Sequence, residues 1–344
     1  MDTTVEQRTE IVLPGVVAPE GLQTRTTPIP TPGAGQVLIR LEATGVSFAE
    51  QQMRRGRYYD QPPFPFVPGY DLVGVIAGGG PDTDPALLGQ RVAVLTKVGG
   101  WASHVIVEAA DAVPVPAGVD PAEAETVVVN GITAWQMLHR RAHVRAGQTI
   151  LVHGASGGVG STLAQLGRLA GARVIGTASP RHHDRLRSLG VIPVDYHADV
   201  AAAVRALAPG GVDAVFDHLG AASVVRSWRL LAPGGTLVSY GSAATRDDTG
   251  SRQLPVLKIL ARTWLWNALP NRRHAFFFNV WAGRRFSPRR FRARLRDDLG
   301  QVLRALAEGS ITAQVAARFP LSQAGEALRL AESGTVSGKI ILTP

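Results

Sequence analysis

Over the first 125 residues or so, apolar positions come in short runs separated by turn-forming clusters. Gln36–Ala43, Leu72–Ile76, Arg91–Leu95 and Ala102–Val107 have strand length and composition, and Thr31-Pro32-Gly33-Ala34-Gly35 and Pro62-Pro63-Phe64-Pro65 punctuate them. From Pro121 the period lengthens, and helices are predicted over Pro121–Val128 and Thr133–His139. Strands at Thr149–Val152, Arg173–Thr177, Val212–Phe216 and Thr236–Gly241 then alternate with helices at Ser161–Ala170 and Ala222–Leu231. A helix over Ser322–Ser333 and a strand over Gly338–Leu342 close the chain, and Thr245–Ser251 reads as a mobile loop. Strand–helix alternation predicts a parallel sheet covered on both faces, so the fold class is α/β with a β-rich unit beside a doubly wound one. A chain of 344 residues, 45% hydrophobic, is long enough for two such domains.

The most informative stretch is Thr149-Ile150-Leu151-Val152-His153-Gly154-Ala155-Ser156-Gly157-Gly158-Val159-Gly160. An apolar strand feeds a glycine-rich turn, and a helix follows. Ala155, Gly157 and Gly160 fill the three small-residue slots of a dinucleotide fingerprint: tight turn, close approach to pyrophosphate, and helix-on-strand packing. Ser156, Gly158 and Val159 lie between them, and N–H groups at the helix start would face a phosphate. An ordinary glycine-rich turn is the competing reading.

The end of the next strand bears on which dinucleotide. No carboxylate stands at Thr177-Ala178-Ser179, where an NAD site places one for the ribose 2′-OH. Ser179 offers a hydroxyl, and Arg181, His182, His183 and Arg185 follow, a cationic cluster suited to a 2′-phosphate. The expected cofactor is NADP(H). A solvated basic helix start is the alternative.

Composition narrows the chemistry further. The chain has no cysteine, which excludes disulfides, thiolate zinc sites and cysteine nucleophiles. Neither His104 nor Glu108 has companions at metal-ligand spacing, so no catalytic metal is expected. There is no basic and apolar leader at Met1–Glu6 and no bilayer-length apolar run, which gives a cytoplasmic expectation. The formal charge of +9 is carried by arginine, since lysine occurs only at Lys97, Lys258 and Lys339. Arginines from Arg272 to Arg296 interleave with Trp264, Trp266, Phe276, Phe277, Phe278, Trp281, Phe286 and Phe291. This segment, 262–296, reads as a helical excursion with inward aromatics, a nucleic-acid or membrane surface, or the entrance for an anionic apolar substrate.

The order of several motifs resembles the medium-chain dehydrogenase/reductase superfamily, in particular its zinc-free quinone oxidoreductase branch. The residues that carry it are Thr44–Glu50, Arg54–Tyr58, Pro62–Asp71, Asn130–Ala134, Ala155–Gly160, Asp195-Tyr196 and Ser337–Leu342. The resemblance implies a GroES-like substrate domain over 1–125 and 295–344. It also implies a Rossmann domain over 126–294, with the basic aromatic segment at 262–294, and a cleft between the two. On that footing Tyr58, Tyr59 and Ser47 are candidate catalytic donors; simple aromatic packing is the other reading of the two tyrosines. Asn130 falls in a cofactor-side motif, Thr133 would contact the nicotinamide ribose, and Tyr240, Gly241 and Ser242 the nicotinamide. Ser179 and Tyr196 would lie at the 2′-phosphate, with His183 where the family has Lys and Arg181 supplying the fixed charge. Lys339, matching the family's terminal Gly-Lys, would take a pyrophosphate or other cofactor-side role. Ser47 stands where the family has Asn.

These readings favour an NADPH-dependent, metal-independent reductase acting on a quinone or an α,β-unsaturated carbonyl. Two alternatives stay open: a dedicated biosynthetic reductase for a bulky apolar intermediate, and a weakly catalytic binding protein that uses 262–296 for lipid or RNA. The expected partner is a second copy, with Thr236–Tyr240 as the pairing edge.

Overall fold

A computed structural model describes residues 6–241, 251 and 253–344. The chain divides into two compact units, one of Met1–Asn130 with Phe286–Pro344 and one of Gly131–Arg285.

The first unit begins with a hairpin, β1 (Gln7–Val12) and β2 (Gln23–Pro28), paired antiparallel. Then come β3 (Gln36–Val46), α1 (Phe48–Arg54), β4 (Asp71–Gly79), β5 (Arg91–Leu95), β6 (His104–Glu108) and β7 (Val113–Pro114). The helix α2 (Pro121–Thr126) leads into α3 (Val128–Trp135), through which the junction between the units runs.

The second unit continues with β8 (Thr149–Val152), α4 (Gly158–Leu169), β9 (Arg173–Ala178), α5 (His183–Ser188), β10 (Ile192–Asp195) and α6 (Val200–Leu207). It ends with β11 (Val212–Asp217), α7 (Ala221–Arg229), β12 (Leu231–Ser239), α8 (Leu254–Ala268) and β13 (His274–Phe277). The chain then returns to the first unit as α9 (Pro288–Ala307), β14 (Val315–Pro320), α10 (Ala324–Glu332) and β15 (Lys339–Thr343).

In the first unit the strands run β14-β15-β3-β4-β5-β7, with β6 on β3. Alternation along β3 buries Val37, Ile39, Leu41 and Ala43 on one face, where Leu72, Ile76, Val92 and Val94 meet the first three of them. The final strand docks antiparallel on the end of β3, with Ile340 opposite Val46 and Leu342 opposite Thr44. The second junction falls at Arg285/Phe286 rather than at 294. Helix α9 buries Phe291, Leu295, Leu299 and Val302, and the Arg292 guanidinium grips Asp111 at 2.7 and 3.3 Å.

In the second unit all six strands are parallel, in the order β10-β9-β8-β11-β12-β13. Its central strands are apolar almost throughout because helices cover both faces, and Leu151, Ile175, Val215 and Leu237 centre the core. The strand edge expected to pair with a second copy is corrected here. β12 is flanked by β11 and by β13, which the aromatic-rich sequence concealed, so the outer strand on that side is β13. Thr245–Gly250 of the expected mobile loop lie outside the described residues.

One buried ion cluster ties three distant segments of the first unit together. Lys339 Nζ lies 2.8 and 2.7 Å from the two Asp71 oxygens and 2.7 Å from Glu125 Oε1, and none of the three side chains is more than 3% exposed. Burial pushes the Glu125 carboxyl well above its usual range. Burial opposes charge on Lys339 too, but the two facing carboxyl groups prevail and raise its pKa. Gly45 makes room for the cluster, since a Cβ there would sit 2.3 Å from Lys339 Cε. Lys339→Met should remove about 3–5 kcal/mol of stability by leaving two carboxyl groups buried without their cation. Urea denaturation checks this, and a loss below about 1 kcal/mol would mean that the cluster does not bind the segments.

Candidate dinucleotide site

In the second unit the chain leaves β8, turns, and enters α4, while the sheet is extended on one side by β9 and on the other by β11. The carboxyl ends of β8 and β11 therefore flank the point where the winding reverses, which is where open α/β sheets form their ligand crevice. The glycine turn lies there. Gly154 takes a left-handed conformation with φ of 66°. Gly160 admits no side chain, because a Cβ would stand 2.1 Å from the Gly154 carbonyl oxygen. Ala155 is fully buried and its N–H donates to Thr177 O at 2.9 Å. Among the described residues, the Gly154 oxygen at 3.4 Å is the one heavy atom within 4 Å of a Cβ added at Gly157.

Gly157 caps α4 without a side-chain bond, so the N–H groups of Gly158, Val159 and Gly160 in its first turn have no intrahelical acceptor. Ser156 stands half-buried just before them. The partial positive charge of a helix start and these donors suit a phosphate.

Four of the expected adenosine-side residues gather at the ends of β9 and β10. Ser179 follows β9 and precedes the turn Pro180–His182, Arg181 is exposed, and His183 lies 3.2 Å through Nε2 from Ala178 O. Tyr196 is 52% exposed, with its N–H on Ala178 O at 3.3 Å. Burial first, and then the charges of Arg181, Arg185 and His183, lower the pKa of His182.

Sequence reasoning missed His218 on the opposite wall. Its ring packs against Gly154, where an added Cβ would meet Cε1 at 2.4 Å, and its carbonyl oxygen would meet a Cβ on Gly241 at 2.7 Å. Burial lowers the His218 pKa to about 4, and its buried Nδ1 has no hydrogen-bond partner among the described residues. The signal was a polar pair, Asp217-His218, directly after a buried strand at a strand end. Tyr240 is half-buried with its ring 5.9 Å from that of His218, and burial raises its pKa. Gly241 is described; Ser242 lies outside the described residues. Thr133 is buried on α3 in the same unit.

The remaining candidates belong to the first unit. Asn130 is buried and its side-chain amide donates to Thr126 O at 2.9 Å. Ser47 caps α1 in a reciprocal box with Glu50: Ser47 Oγ accepts from Ala49 N at 3.2 Å, and Glu50 Oε2 accepts from Ser47 N at 2.9 Å and from its hydroxyl. The Ser-x-x-Glu spacing was visible in the sequence and gives Ser47 a structural task. Tyr58 is buried with its hydroxyl 2.9 Å from that of Tyr70, and Tyr59 is half-buried, its ring centroid 4.8 Å from that of Tyr58. Burial raises the pKa of both. Lys339 is a correction: its three N–H groups are matched by three carboxyl oxygens in the buried cluster, which leaves no donor for a pyrophosphate.

The basic aromatic segment is not one surface element. It comprises the end of α8, β13 and the start of α9, divided between the two units. Several of its arginines are engaged: Arg273 lies over Trp228, Arg284 over Trp281, and Arg292 on Asp111. Among the described residues there is no group of three His, Cys, Asp or Glu that could hold a metal ion, and no helix is long and apolar enough to cross a membrane.

Residues 33–117 match the family of alcohol dehydrogenase GroES-like domains, and 189–342 the family described as zinc-binding dehydrogenase. The human synaptic vesicle membrane protein VAT-1 homolog is 38% identical over 249 residues, which is 72% of this chain and 62% of that protein. The chain thus matches about three fifths of the length of such curated relatives. A quinone oxidoreductase from Pseudomonas syringae superposes with a TM-score of 0.83 at 26% identity, covering 98% of this chain and all (100%) of that one. A mycobacterial protein solved in complex with NADPH superposes with a TM-score of 0.82 at 28% identity, again over 98% and 100%.

Gly160→Ala should weaken dinucleotide binding by more than about tenfold while far-ultraviolet circular dichroism stays native, because the turn must open to admit the methyl group. Unchanged affinity in a fluorescence titration would show that the turn does not form the site.

Proposed function

Because the chain belongs to the medium-chain dehydrogenase/reductase superfamily, we propose that it is an oxidoreductase that uses NADPH to reduce a quinone or an α,β-unsaturated carbonyl without a catalytic metal. The observation that carries this is the glycine turn at the reversal point of the sheet, beside a β9 end that has Ser179 and Arg181 instead of a carboxylate. The residues fit the cofactor: a Cβ added at Gly157 meets only the Gly154 oxygen among the described residues, which leaves room for a pyrophosphate against backbone, and Arg181 and Arg185 follow Ser179 after β9, where a 2′-phosphate would lie. The NADPH-bound mycobacterial neighbour supports the same assignment. When bound, NADPH supplies the hydride.

The chain's own part is to hold the dinucleotide and to stabilise the oxyanion that develops on the acceptor. N–H groups of Gly158, Val159 and Gly160 would bind the pyrophosphate, Arg181 and Ser179 the 2′-phosphate, and Thr133 the ribose beside the nicotinamide. Tyr58 and Tyr59 are the candidate donors to an acceptor oxygen; the Tyr58 hydroxyl is shared with that of Tyr70, and burial raises the pKa of Tyr59. Its raised pKa keeps the phenol protonated at neutral pH, so it acts as a donor and not as a base. The proposed chemistry calls on no metal, in keeping with a sequence that offers no cysteine ligand.

NADPH should bind at least about tenfold tighter than NADH, and Arg181→Ala should erase that margin of roughly 1.4 kcal/mol while leaving NADH affinity unchanged. NADPH oxidation should then saturate with at least one member of a panel of quinones and enones. Equal affinity for the two cofactors, or no turnover across the panel, would overturn the assignment.

For assembly we propose a second copy of the chain. Helix α8 exposes Leu257 (57%), Trp264 (74%) and Leu265 (51%), and it packs on β13, the outer strand of the sheet. Trp264→Glu should convert a dimer to a monomer in light scattering. A wild-type monomer would refute the pairing.

A further inference from the structure

Beneath the glycine turn runs a line of buried polar groups: Asp217, Ser227, His153 and Thr177, from β11, α7, the end of β8 and β9. Its hydrogen positions follow from donor and acceptor capacity. Ser227 Oγ donates its one proton to Asp217 Oδ2 at 2.7 Å, so towards His153 Nε2, 3.1 Å away, it can only accept. The neutral imidazole therefore carries its proton on Nε2 and a lone pair on Nδ1. Thr177 Oγ1, 3.3 Å from Nδ1, donates to it, and this leaves the Thr177 oxygen to accept the Gly154 N–H at 3.1 Å. At the far end Asp217 Oδ1 accepts from Leu219 N at 2.9 Å and Gly220 N at 3.1 Å. One directed chain thus joins the turn after β8 to the turn after β11, the two walls of the crevice.

We propose that His153 is a positioning residue for dinucleotide binding: its neutral, Nε2-protonated ring holds the left-handed turn at Gly154 through the Thr177 hydroxyl, and protonation of the ring releases it. The proposal rests on the dinucleotide reading of that turn.

A protonated ring donates from both nitrogens, so Nδ1–H would confront the Thr177 hydroxyl proton. Thr177 is 2% exposed, so the displaced proton would need another acceptor inside the protein. The Gly154 N–H would then share its acceptor with a charged donor. Groups around the ring act in opposite senses. Burial disfavours its charge most, Asp217 on β11 favours it, and Arg226 on α7 disfavours it. His218, the next residue after Asp217, is itself held neutral by burial, and β9 contributes the uncharged Thr177. The ring is thus kept neutral in the folded state and can be charged only at acidic pH.

The test is NADPH affinity by fluorescence titration from about pH 8 to about pH 5, with the imidazole nitrogens of His153 followed by 15N NMR. The 2′-phosphate corner adds a pH dependence of its own, so the comparison is between wild type and Thr177→Val, which keeps the shape and removes the hydroxyl. At neutral pH this variant should lose about tenfold in affinity, and its pH dependence should be flatter than that of wild type. Thr177→Ser should restore both, and Ser227→Ala should move the His153 proton away from Nε2. Thermal melts identify any variant that loses affinity by unfolding, and Thr177→Ser then carries the comparison against wild type.

Wild-type affinity and slope in Thr177→Val, or an Nδ1–H tautomer in the wild type, would overturn the proposal while NADPH binding by the wild type stands. Failure of the wild type to bind NADPH would overturn the dinucleotide reading and this inference with it, whereas the tautomer is read without cofactor.

Discussion

The buried ammonium of Lys339 is the point on which the first unit depends. It belongs to the last strand, Asp71 begins β4, and Glu125 lies on α2, so one cation unites segments separated by 268 and 214 positions in sequence. Such a cluster is weak as a source of net stability, because three desolvated groups must be offset by their mutual attraction. Its value is selective. A carboxyl group left without Lys339 would be intolerable in that setting, so the arrangement favours the one docking of β15 on β3 in which all three meet. Asp71 also accepts the Val129 N–H at 2.8 Å, which extends the same constraint to the beginning of α3.

In the second unit the corresponding constraint is made of backbone and neutral hydrogen bonds. Gly154 and Gly160 bring the turn so close to the start of α4 that side chains are excluded, and Thr177 supplies both its carbonyl and its hydroxyl to the turn. A ligand that replaces water at this place finds donors already oriented and need not order them, which is how a preorganised site gains affinity. The arginines after β9 are a different device, long-range charge, and under the proposed function it is they that would distinguish NADPH from NADH.

How far the sequence could be read depended on the range of the interactions involved. The parallel sheet was legible because strands covered on both faces must be apolar throughout, and the glycine turn because its requirements lie within a few residues of one another. β13 was hidden: His274-Ala275-Phe276-Phe277 sits among arginines that gave the segment another look, and only its register against Thr236–Ser239 makes it a strand. Lys339 could not be interpreted, since a terminal Gly-Lys says nothing of the carboxyl groups that the fold carries to it. His153 and His218 were likewise silent, being single polar residues at strand ends whose meaning arises when the ends of β8, β9 and β11 are brought side by side. Ser47 is the opposite case. Its local pairing with Glu50 could have been read, but the resemblance drew attention to catalysis instead.

The first unit is assembled from both ends of the chain, with the second as one continuous insertion between them. During synthesis, then, β3 appears early and waits for β15, and the ion cluster waits for its cation, until the whole of the intervening Rossmann unit has left the ribosome. In that interval Asp71 and Glu125 lack the cation that faces them in the finished unit, and the edge of β3 that will receive β15 stays open.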